Sequence, residues 1–444
     1  MGMNFKSRRL WVPFGLAGLI IAGCNLPSPA AESPTEAAET ILIEPTNRPS
    51  DVAASPSAAA ASTADVAVEA STPEPRNLRI VYTDGGKLWA LEVGSDPRQV
   101  IEAGSIGEVR LSDDGEWIAY TIRDSDQDTA DLHSIRFDGS SPQVVLDAAG
   151  FDTLYPLEAF LHYTLSNLDF IPGTHTLLIN TRGVFEGPGL AKIDDLLAVD
   201  VPTSRIRSML APGIGGDFTV SPTGDSIAIV RPDSIGFVNA TGSDLRPEVL
   251  TFPPVITYSE FFFYPLPVWS GNSVVLPVPQ EDPFFAAEPG TVWAIDGTPR
   301  TLARPVGDLF GPQRELPIVS PDGSSVAFLR EADVAGDRDL VIQRLDNGEQ
   351  TVYDTGPIQW RGWAPDSTRI VYSKGSGLDL YLGEIGAAPV PLGSGTGLRW
   401  VNADQYLYLA GRPGSWILTL ADLAGGVTPL ADPSGDFVAF DFAE

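Results

Sequence analysis

The sequence contains few of the residues on which several classes of protein depend. Its 444 residues include one cysteine, which rules out an internal disulfide framework. Basic residues number 28 against 58 acidic ones, and the net charge of −30 argues against nucleic acid or an anionic lipid surface as a partner. Such an acidic surface is compatible with basic partners or divalent cations, or with a solvated surface that keeps the domain monomeric.

Residues typical of catalysis are also scarce. The chain has three histidines, His133, His162 and His175, and none has the spacing of a metal-ligand motif. No GxSxG nucleophile elbow is present, so the catalytic half of an α/β-hydrolase is missing. Because no catalytic motif is found, we predict that the protein is not an enzyme.

The single cysteine lies where a membrane anchor would need it. Lys6, Arg8 and Arg9 precede LWVPFGLAGLI, an apolar run of signal-peptide length that is too short for a membrane span. The IAGC that follows resembles the lipobox of bacterial lipoproteins. The resemblance implies that residues 1–23 are a signal peptide and that Cys24 is lipidated, which would anchor an extracytoplasmic protein to the bacterial cell membrane or outer membrane. The alternative is an ordinary secretory signal with a chance cysteine.

The next segment has a different composition. Residues 24–76 are rich in Pro, Ala, Ser, Thr and Glu, as in SPSAAAASTADVAVEASTPEP, and they contain no aromatic residue. Such a segment buries too little apolar surface to offset the entropy cost of ordering. We predict a lipidated cysteine followed by a disordered tether over 24–76, and a folded domain over 77–444.

A turn followed by an apolar strand recurs along the folded domain. The copies start at intervals of about 40–60 residues, which is typical of a β-propeller. Each copy places Pro, Asp, Asn or Gly in a tight turn before an alternating apolar strand, and two further strands follow it. The copies are LSDDGEWIAYT (111–121), FIPGTHTLLIN (170–180), VSPTGDSIAIV (220–230), WSGNSVVLPV (269–278), VSPDGSSVAFLR (319–330), WAPDSTRIVYS (363–373) and WVNADQYLYLA (400–410).

These copies carry a family resemblance. SPDGSSVAF followed by DLVIQRLDNG resembles the TolB-type, WD-like propeller repeat of bacterial exported proteins. The resemblance covers residues 77–444 and implies an all-β propeller of four-stranded blades. It implies no particular activity, since such propellers act as docking platforms, substrate-gating domains or sugar-binding modules. A pair of β-sandwiches is the alternative fold, and seven copies in one fixed order argue against it.

The two ends of the repeat region predict how the ring closes. RIVYT (79–83), KLWALEV (87–93) and RQVI (98–101) have the character of second, third and fourth strands without a first. The final DFVAFDFAE (436–444) has no blade of its own and is spaced as a first strand. We predict that it completes the first blade and removes a free sheet edge, giving eight blades, with seven as the alternative. PSGDFVAF could instead be the turn and second strand of a partial repeat.

Loop lengths predict the working face. The connections from fourth strand to first and from second strand to third share one face of a propeller, and here they are long. They are predicted at 147–164, 252–264, 304–315, 181–194, 279–290 and 331–338. Two of them carry aromatic residues that we predict to bind a peptide, protein or glycan partner, with channel plugging or packing between blades as the alternative. The candidates are Tyr258, Phe261, Phe262, Phe263, Tyr264, Phe284 and Phe285.

One acidic stretch suggests a metal. Asp124, Asp126 and Asp128 alternate as calcium ligands do, although the glycine and the terminal glutamate of an EF-hand loop are missing. Ca²⁺ is the one cofactor the sequence suggests, and an acidic hairpin tip without metal is the alternative.

Two classes of function follow from these observations. The first is a lipid-anchored, extracytoplasmic propeller that acts as a non-catalytic binding or scaffolding module through its long-loop face. The second is a carbohydrate-active or other hydrolytic propeller with carboxylates on the same face. A pair of acids with raised pKa values on that face would favour the second class.

Overall fold

The computed structural model describes residues 78–157, 160–186, 190–257, 261–283, 290–296, 303–309, 318–375 and 377–444 of the chain. The predicted signal peptide, Cys24 and the tether lie outside these residues, as do Tyr258, Phe284 and Phe285. In the described part of the chain, no helix has the length and hydropathy needed to cross a bilayer.

The described chain is built almost entirely of antiparallel strands. Short apolar runs rich in Val, Ile and Leu form them, and Gly-containing turns separate them. The first sixteen strands are β1 (Arg79–Asp84), β2 (Lys87–Glu92), β3 (Arg98–Glu102), β4 (Ile106–Leu111), β5 (Trp117–Asp124), β6 (Thr129–Arg136), β7 (Gln143–Leu146), β8 (His162–Phe170), β9 (Thr176–Val184), β10 (Leu190–Lys192), β11 (Leu196–Asp200), β12 (Arg205–Leu210), β13 (Asp217–Val220), β14 (Ser226–Val230), β15 (Ser234–Asn239) and β16 (Arg246–Thr251).

The second half continues the same pattern of sequential antiparallel pairing. Its strands are β17 (Val268–Ser270), β18 (Ser273–Val278), β19 (Gly290–Asp296), β20 (Ala303–Leu309), β21 (Ile318–Val319), β22 (Ser325–Glu331), β23 (Arg338–Arg344), β24 (Gln350–Gly356), β25 (Ile358–Trp363), β26 (Arg369–Lys374), β27 (Asp379–Glu384), β28 (Val390–Trp400), β29 (Gln405–Arg412), β30 (Ser415–Asp422), β31 (Val427–Ala431) and β32 (Phe440–Ala443).

Three of the predicted loops contain regular structure. Segment 147–164 includes the helix α1 (Ala148–Asp152) and the start of β8, because the Asp147 side chain accepts a hydrogen bond from the Gly150 N–H and caps the helix. Segment 181–194 contains the end of β9 and all of β10, and 304–315 begins inside β20. The sequence of β20 is poor in Val and Ile and does not alternate between apolar and polar residues, so a sequence pattern could not have detected this strand.

The strands of the described residues form seven sheets. In chain order these are the first sheet (β1–β3 with β32), the second (β4–β7), the third (β8–β12), the fourth (β13–β16), the fifth (β17–β20), the sixth (β21–β24) and the seventh (β25–β31). The seventh is two four-stranded meanders that share β28. The number of blades, eight with seven as the alternative, stays a prediction because this shared strand joins what would be two blades.

Each sheet packs its apolar faces against its neighbours. Val81 and Leu88 of the first sheet contact Val109 and Ile118 of the second in one buried cluster. On the other face, Ile80 lies in a cluster with Leu407 and other residues of the seventh sheet. The series of sheets therefore closes on itself, and the predicted all-β propeller is confirmed.

The C-terminal strand closes the ring, as predicted. β32 pairs antiparallel with β1, so that Ile80 lies opposite Phe442 and Tyr82 opposite Phe440. The ladder is shorter than the predicted 436–444, because only Phe440–Ala443 form the strand. Just before it, the Thr83 N–H donates to the Ala439 carbonyl at 2.9 Å. The tail is therefore a first strand, and the interpretation of PSGDFVAF as a second strand is wrong.

The recurring SPDG turn has a simple hydrogen-bond logic. The buried Ser320 hydroxyl donates to the Asp322 carboxylate at 2.6 Å and accepts from the Ser325 N–H at 3.0 Å. Ser112 does the same with Asp114 and Trp117. The turn thereby satisfies the first amide of the following strand, which explains why the same residues recur.

Candidate binding pocket on the long-loop face

A pocket of about 1040 Å³ lies between the third, fourth and fifth sheets. Its wall comes mainly from the connections that follow second and fourth strands, which are those predicted to form the working face. The third sheet and its connections contribute Ser166, Arg182, Phe185, Ala191, Lys192 and Asp194. The connections before and within the fourth sheet contribute Gly213, Arg231, Pro232 and Asp233, and the segment before the fifth sheet contributes Pro254, Phe261, Phe262 and Tyr264.

A β-bulge shapes one side of the pocket. In the strand register, Lys192 lies opposite Arg182 and Leu197 lies opposite Ile179. The five residue steps from Lys192 to Leu197 therefore match three steps on β9, which leaves two extra residues in the bulge. Asp194 lies in this bulge with a left-handed backbone, at φ 51°. Bulges commonly redirect a side chain next to a binding site, and this one places Asp194 in the pocket wall.

The neighbouring Asp195 holds the bulge in place. It is fully buried, and its carboxylate accepts hydrogen bonds from the N–H and hydroxyl of Thr181, both at 2.8 Å, and from the Tyr155 hydroxyl at 2.7 Å. The carboxylate thus replaces the strand partner that the bulge takes away from the Thr181 amide. Three hydrogen bonds to one buried carboxylate make this side of the pocket rigid.

Asp194 is the centre of a charged network. The Tyr264 hydroxyl donates to its carboxylate at 2.9 Å, and the Lys192 ammonium lies 4.0 Å from the centre of the Tyr264 ring. Lys192 also pairs with the Asp217 carboxylate. Burial raises the pKa of Asp194 to about 6, and the nearby Asp217 charge adds to this, while the Tyr264 hydrogen bond and Lys192 oppose it. A carboxyl that titrates near neutral pH inside a pocket is a candidate functional group.

The aromatic side of the pocket is a small hairpin. The Thr257 N–H donates to the Phe261 carbonyl at 2.9 Å, and Ile256 pairs with Phe262 in an isolated bridge. Phe261 and Phe262 are 47% and 55% exposed, although both line the pocket. They are therefore not core residues, and partner binding by these two side chains, like the alternative of channel plugging or packing between blades, stays a prediction.

Of the remaining aromatic candidates, Phe263 and Tyr264 make other contacts, and three lie outside the described residues. Phe263 is half-buried, and its N–H donates to the Val255 carbonyl at 2.8 Å, which closes the hairpin. Tyr264 binds Asp194 as described. Tyr258, Phe284 and Phe285 lie outside the described residues, so their part in binding stays a prediction.

The aspartates suggested as calcium ligands form an exposed hairpin tip. The Asp124 carboxylate accepts from the Asp126 N–H at 2.9 Å, and Asp128 lies 3.8 Å from the Arg182 guanidinium. Ca²⁺ binding there stays a prediction. Among the described residues, one set of three side chains converges closely enough to hold a metal, and it is a different one: Asp114, Glu116 and His175, whose ligand atoms lie within 4.8 Å of one another.

That second set has a structural explanation. His175 Nε2 lies 2.6 Å from the Asp114 carboxylate, and the adjacent Gly173 N–H donates to Asp113 at 2.9 Å. These contacts join the turns of the second and third sheets. Sequence spacing could not have found the set, because His175 lies about 60 residues from Asp114 and meets it only through the packing of two sheets.

Two carboxyls in the described residues have clearly raised pKa values, as a hydrolytic site would require, but their surroundings differ. Burial raises the pKa of Asp169. The charge of Arg110 opposes this shift, and the charge of Asp441 adds to it. The charges that act on Asp194 come from Asp217, Lys192 and Arg231 instead. The two acids therefore have no perturbing neighbour in common.

Similarity to known proteins is found among solved structures. No protein-family model and no curated protein matches the sequence. Among solved structures, the chain is similar to TolB from Acinetobacter baumannii, with 11% identity, a TM-score of 0.36, and 82% of this chain and 66% of that chain covered. It is also similar to an oligogalacturonate lyase in complex with manganese, with 13% identity, a TM-score of 0.43, and 69% and 81% covered.

A third similar structure is a puromycin-hydrolysing peptidase from Mycobacterium tuberculosis, with 14% identity and a TM-score of 0.45. The alignment covers 74% of this chain and 53% of the peptidase. The chain thus spans about half the length of the peptidase and slightly less than two thirds of TolB. At these identities the likeness concerns the fold alone and carries no ligand or activity over to this chain.

Sequence reasoning predicted the aromatic side of the pocket and missed the charged side. Arg182, Lys192, Asp194 and Arg231 all line it. Arg182, Lys192 and Asp194 are ordinary charged residues of the predicted connection 181–194, and Arg231 directly follows the repeat copy 220–230. Charged residues in such positions are usually solvated. The Asp194-Asp195 pair directly before the apolar strand LLAV was the one available signal, since adjacent aspartates mark a turn or bulge.

Proposed function

We propose that the protein is an extracytoplasmic binding module that recognises its partner, a peptide, protein or glycan, in the pocket between the third, fourth and fifth sheets. One observation carries this proposal: three successive sheets contribute connections to a single pocket that presents exposed Phe261 and Phe262. Exposed phenylalanines that adjoin a concave surface are typical of binding sites.

The apolar surface of the hairpin extends beyond these two side chains. Ile256, which is paired with Phe262, is 60% exposed. The rest of the pocket wall places charged side chains such as Lys192 and Asp194 beside apolar ones such as Phe185, so the pocket combines apolar contacts with groups that fix orientation. That combination suits a ligand with distinct apolar and polar parts.

The experiment is a capture assay with the full-length protein and an envelope extract. We expect the wild type to retain a partner that the Phe261→Ala/Phe262→Ala double variant releases. Phe437→Ala is the matched control, because Phe437 is 74% exposed and does not line the pocket. Equal capture by the wild type and the double variant would contradict the proposal.

Anchoring through Cys24 belongs to the same proposal and rests on the IAGC motif in a chain with one cysteine. Cys24→Ser removes the thiol to which the lipid would be attached. We expect the variant to lose incorporation of a labelled fatty acid and to leave the membrane fraction. Lipid labelling of the Ser variant would contradict the anchor and leave the proposal about the pocket unaffected.

A hydrolytic function is the second candidate, and the raised pKa of Asp194 is the observation that favours it. A carboxyl with a pKa of about 6 can act as a general acid or base near neutral pH. In that case Asp194→Asn would abolish turnover of the captured partner without abolishing capture. Unchanged turnover in the variant would exclude Asp194 as the catalytic group.

A further inference from the structure

We propose that the pocket recognises a carboxylate that lies next to an apolar group, and that Arg182 is the residue that binds the carboxylate. The inference rests on the proposed function, since it names the chemistry of the ligand that would occupy the same pocket.

The charge of the pocket differs from that of the chain. Basic residues are 28 of the 444, yet three of the pocket-lining residues are basic: Arg182, Lys192 and Arg231. Asp194 and Asp233 are the acidic ones. The lining thus has one more basic than acidic residue in a chain whose net charge is −30, and this local balance permits an anionic ligand there.

Two of the three cations are already occupied within the protein. The Arg231 guanidinium donates to the Ser234 hydroxyl and the Gly213 carbonyl, both at 3.1 Å, and to the Glu248 carboxylate at 3.3 Å. Lys192 pairs with Asp217 and lies over the Tyr264 ring. Both side chains are thus fixed parts of the wall.

Arg182 is different. Among the described residues its one charged partner is Asp128, whose carboxylate lies 3.8 Å from Nη2, beyond hydrogen-bond distance. Its Nε is buried and donates no hydrogen bond within the described part of the chain. Solvent does not reach Nε, so a ligand in the pocket would meet the Nη end of the side chain, which is 32% exposed and has no hydrogen-bonded anion among the described residues. The two Nη groups of a guanidinium can hold the two oxygens of a carboxylate.

The position of Arg182 connects the anion to the apolar surface. Phe185 follows it by three residues, and both line the same cavity as Phe261 and Phe262. Phe185 is held by the Phe160 ring, at 4.9 Å between ring centres. A ligand with a carboxylate on Arg182 can therefore place an adjoining apolar group against these rings, and 1040 Å³ leaves ample room for both.

The test uses two small probes that differ in one group. N-acetyl-phenylalanine carries a carboxylate beside a phenyl ring, and N-acetyl-phenylalaninamide is its neutral counterpart. Their affinities for the full-length protein are measured by ligand-observed NMR titration. We expect the acid to bind at least about tenfold more tightly than the amide, as a charge-assisted hydrogen bond to Arg182 would give.

Variants assign that preference to residues. Arg182→Gln should remove the preference for the acid while leaving the affinity for the amide unchanged, and Arg182→Lys should restore only part of it. Arg412→Gln, at an exposed arginine outside the pocket, should behave as the wild type. Inorganic phosphate is titrated separately, and if it binds as tightly as the acid, the apolar half of the inference is wrong.

The outcomes separate this inference from the proposed function. If both probes bind equally and Phe261→Ala/Phe262→Ala weakens both, the role of Arg182 is overturned and binding in the pocket stands. If the acid is preferred equally by the wild type and Arg182→Gln, the anion is bound elsewhere and the inference is also overturned. If neither probe binds at millimolar concentration, carboxylate recognition is contradicted, and the capture assay alone decides the proposed function.

Discussion

Two regions of this propeller each contain an arginine near an aspartate, and they differ in how completely their polar groups are paired. At the closure seam, the Asp441 carboxylate accepts the Leu111 N–H at 2.8 Å and pairs with Arg399 at 2.6 Å, while Arg399 also donates to the Phe440 carbonyl. In the pocket, the Arg182 Nε makes no hydrogen bond within the described residues, and its Nη2 lies 3.8 Å from the Asp128 carboxylate.

The difference indicates two roles for the same pair of residue types. Asp441 is 5% exposed and connects three parts of the ring, namely β32, β4 and β28, so the pair is part of the structure. Arg182 lines a cavity, and its exposed Nη end has no hydrogen-bonded anion among the described residues, so a ligand carboxylate can pair with it. The polar groups of the Asp441–Arg399 pair are therefore hydrogen-bonded within the protein, whereas the guanidinium of Arg182 in the pocket is not hydrogen-bonded to an anion among the described residues.

Removal of residues 440–444 should have the largest effect. It deletes β32, exposes the edge of β1 and breaks the cluster that joins the first and seventh sheets. We expect loss of cooperative unfolding and aggregation through the free edge, measured by chemical denaturation and light scattering. Phe437→Ala is the control just outside the strand, and a truncated protein with an unchanged unfolding midpoint would contradict closure by the tail.

Asp441→Ala should cost about 2–3 kcal/mol of unfolding free energy. The substitution leaves the buried Leu111 N–H without its acceptor and removes the partner of Arg399. Asp404→Ala is the matched control, because Asp404 is 79% exposed and lies 4.0 Å from Arg369, and it should change stability by less than about 0.5 kcal/mol. Equal effects of the two substitutions would remove the distinction between a paired seam and an ordinary surface ion pair.

Asp194→Asn should alter how stability depends on pH. The pKa of Asp194 is raised in the folded protein from 3.8 to about 6, so the folded state binds the proton more tightly than the unfolded state does. The stabilising contribution of that proton is fully present below about pH 4 and is lost as the pH rises through 6. Asn keeps an acceptor for Tyr264 and does not titrate, so the variant should gain stability relative to the wild type between pH 4 and 7.

Denaturation midpoints at pH 4, 5, 6 and 7 measure this change, with Asp404→Asn as the control. A difference between wild type and Asp194→Asn that is constant over this range would show that Asp194 titrates normally in the folded protein.

Phe262→Ala should have the smallest effect on stability. Its side chain is 55% exposed, so we expect a loss below about 1 kcal/mol. The same substitution at the fully buried Phe237 of the fourth sheet should cost about 3–5 kcal/mol. If the two losses are alike in denaturant unfolding, Phe262 is a core residue and the pocket loses its apolar side.

The sequence predicted the parts of this architecture that depend on local chemistry. The Ser, Asp and Gly of VSPDGSSVAFLR form one turn wherever they recur, and the tail alternates as a strand, so repeats and closure could be deduced. The convergence of Arg182, Asp194 and Tyr264 could not be predicted, because it depends on a bulge in the third sheet and on the packing of the segment before the fifth. Sequence patterns encode the period of a strand but not which loops meet across neighbouring sheets.

Hydrogen exchange measured by mass spectrometry tests the central claim, binding in the pocket of the third to fifth sheets, most directly. The full-length protein is compared with and without saturating N-acetyl-phenylalanine. We expect protection at residues 190–196 and 261–264, and unchanged exchange at the seam formed by residues 436–443. Protection at the seam or at the short turns around 113–116 and 320–324, with none at 190–196 and 261–264, would contradict the assignment of the binding site.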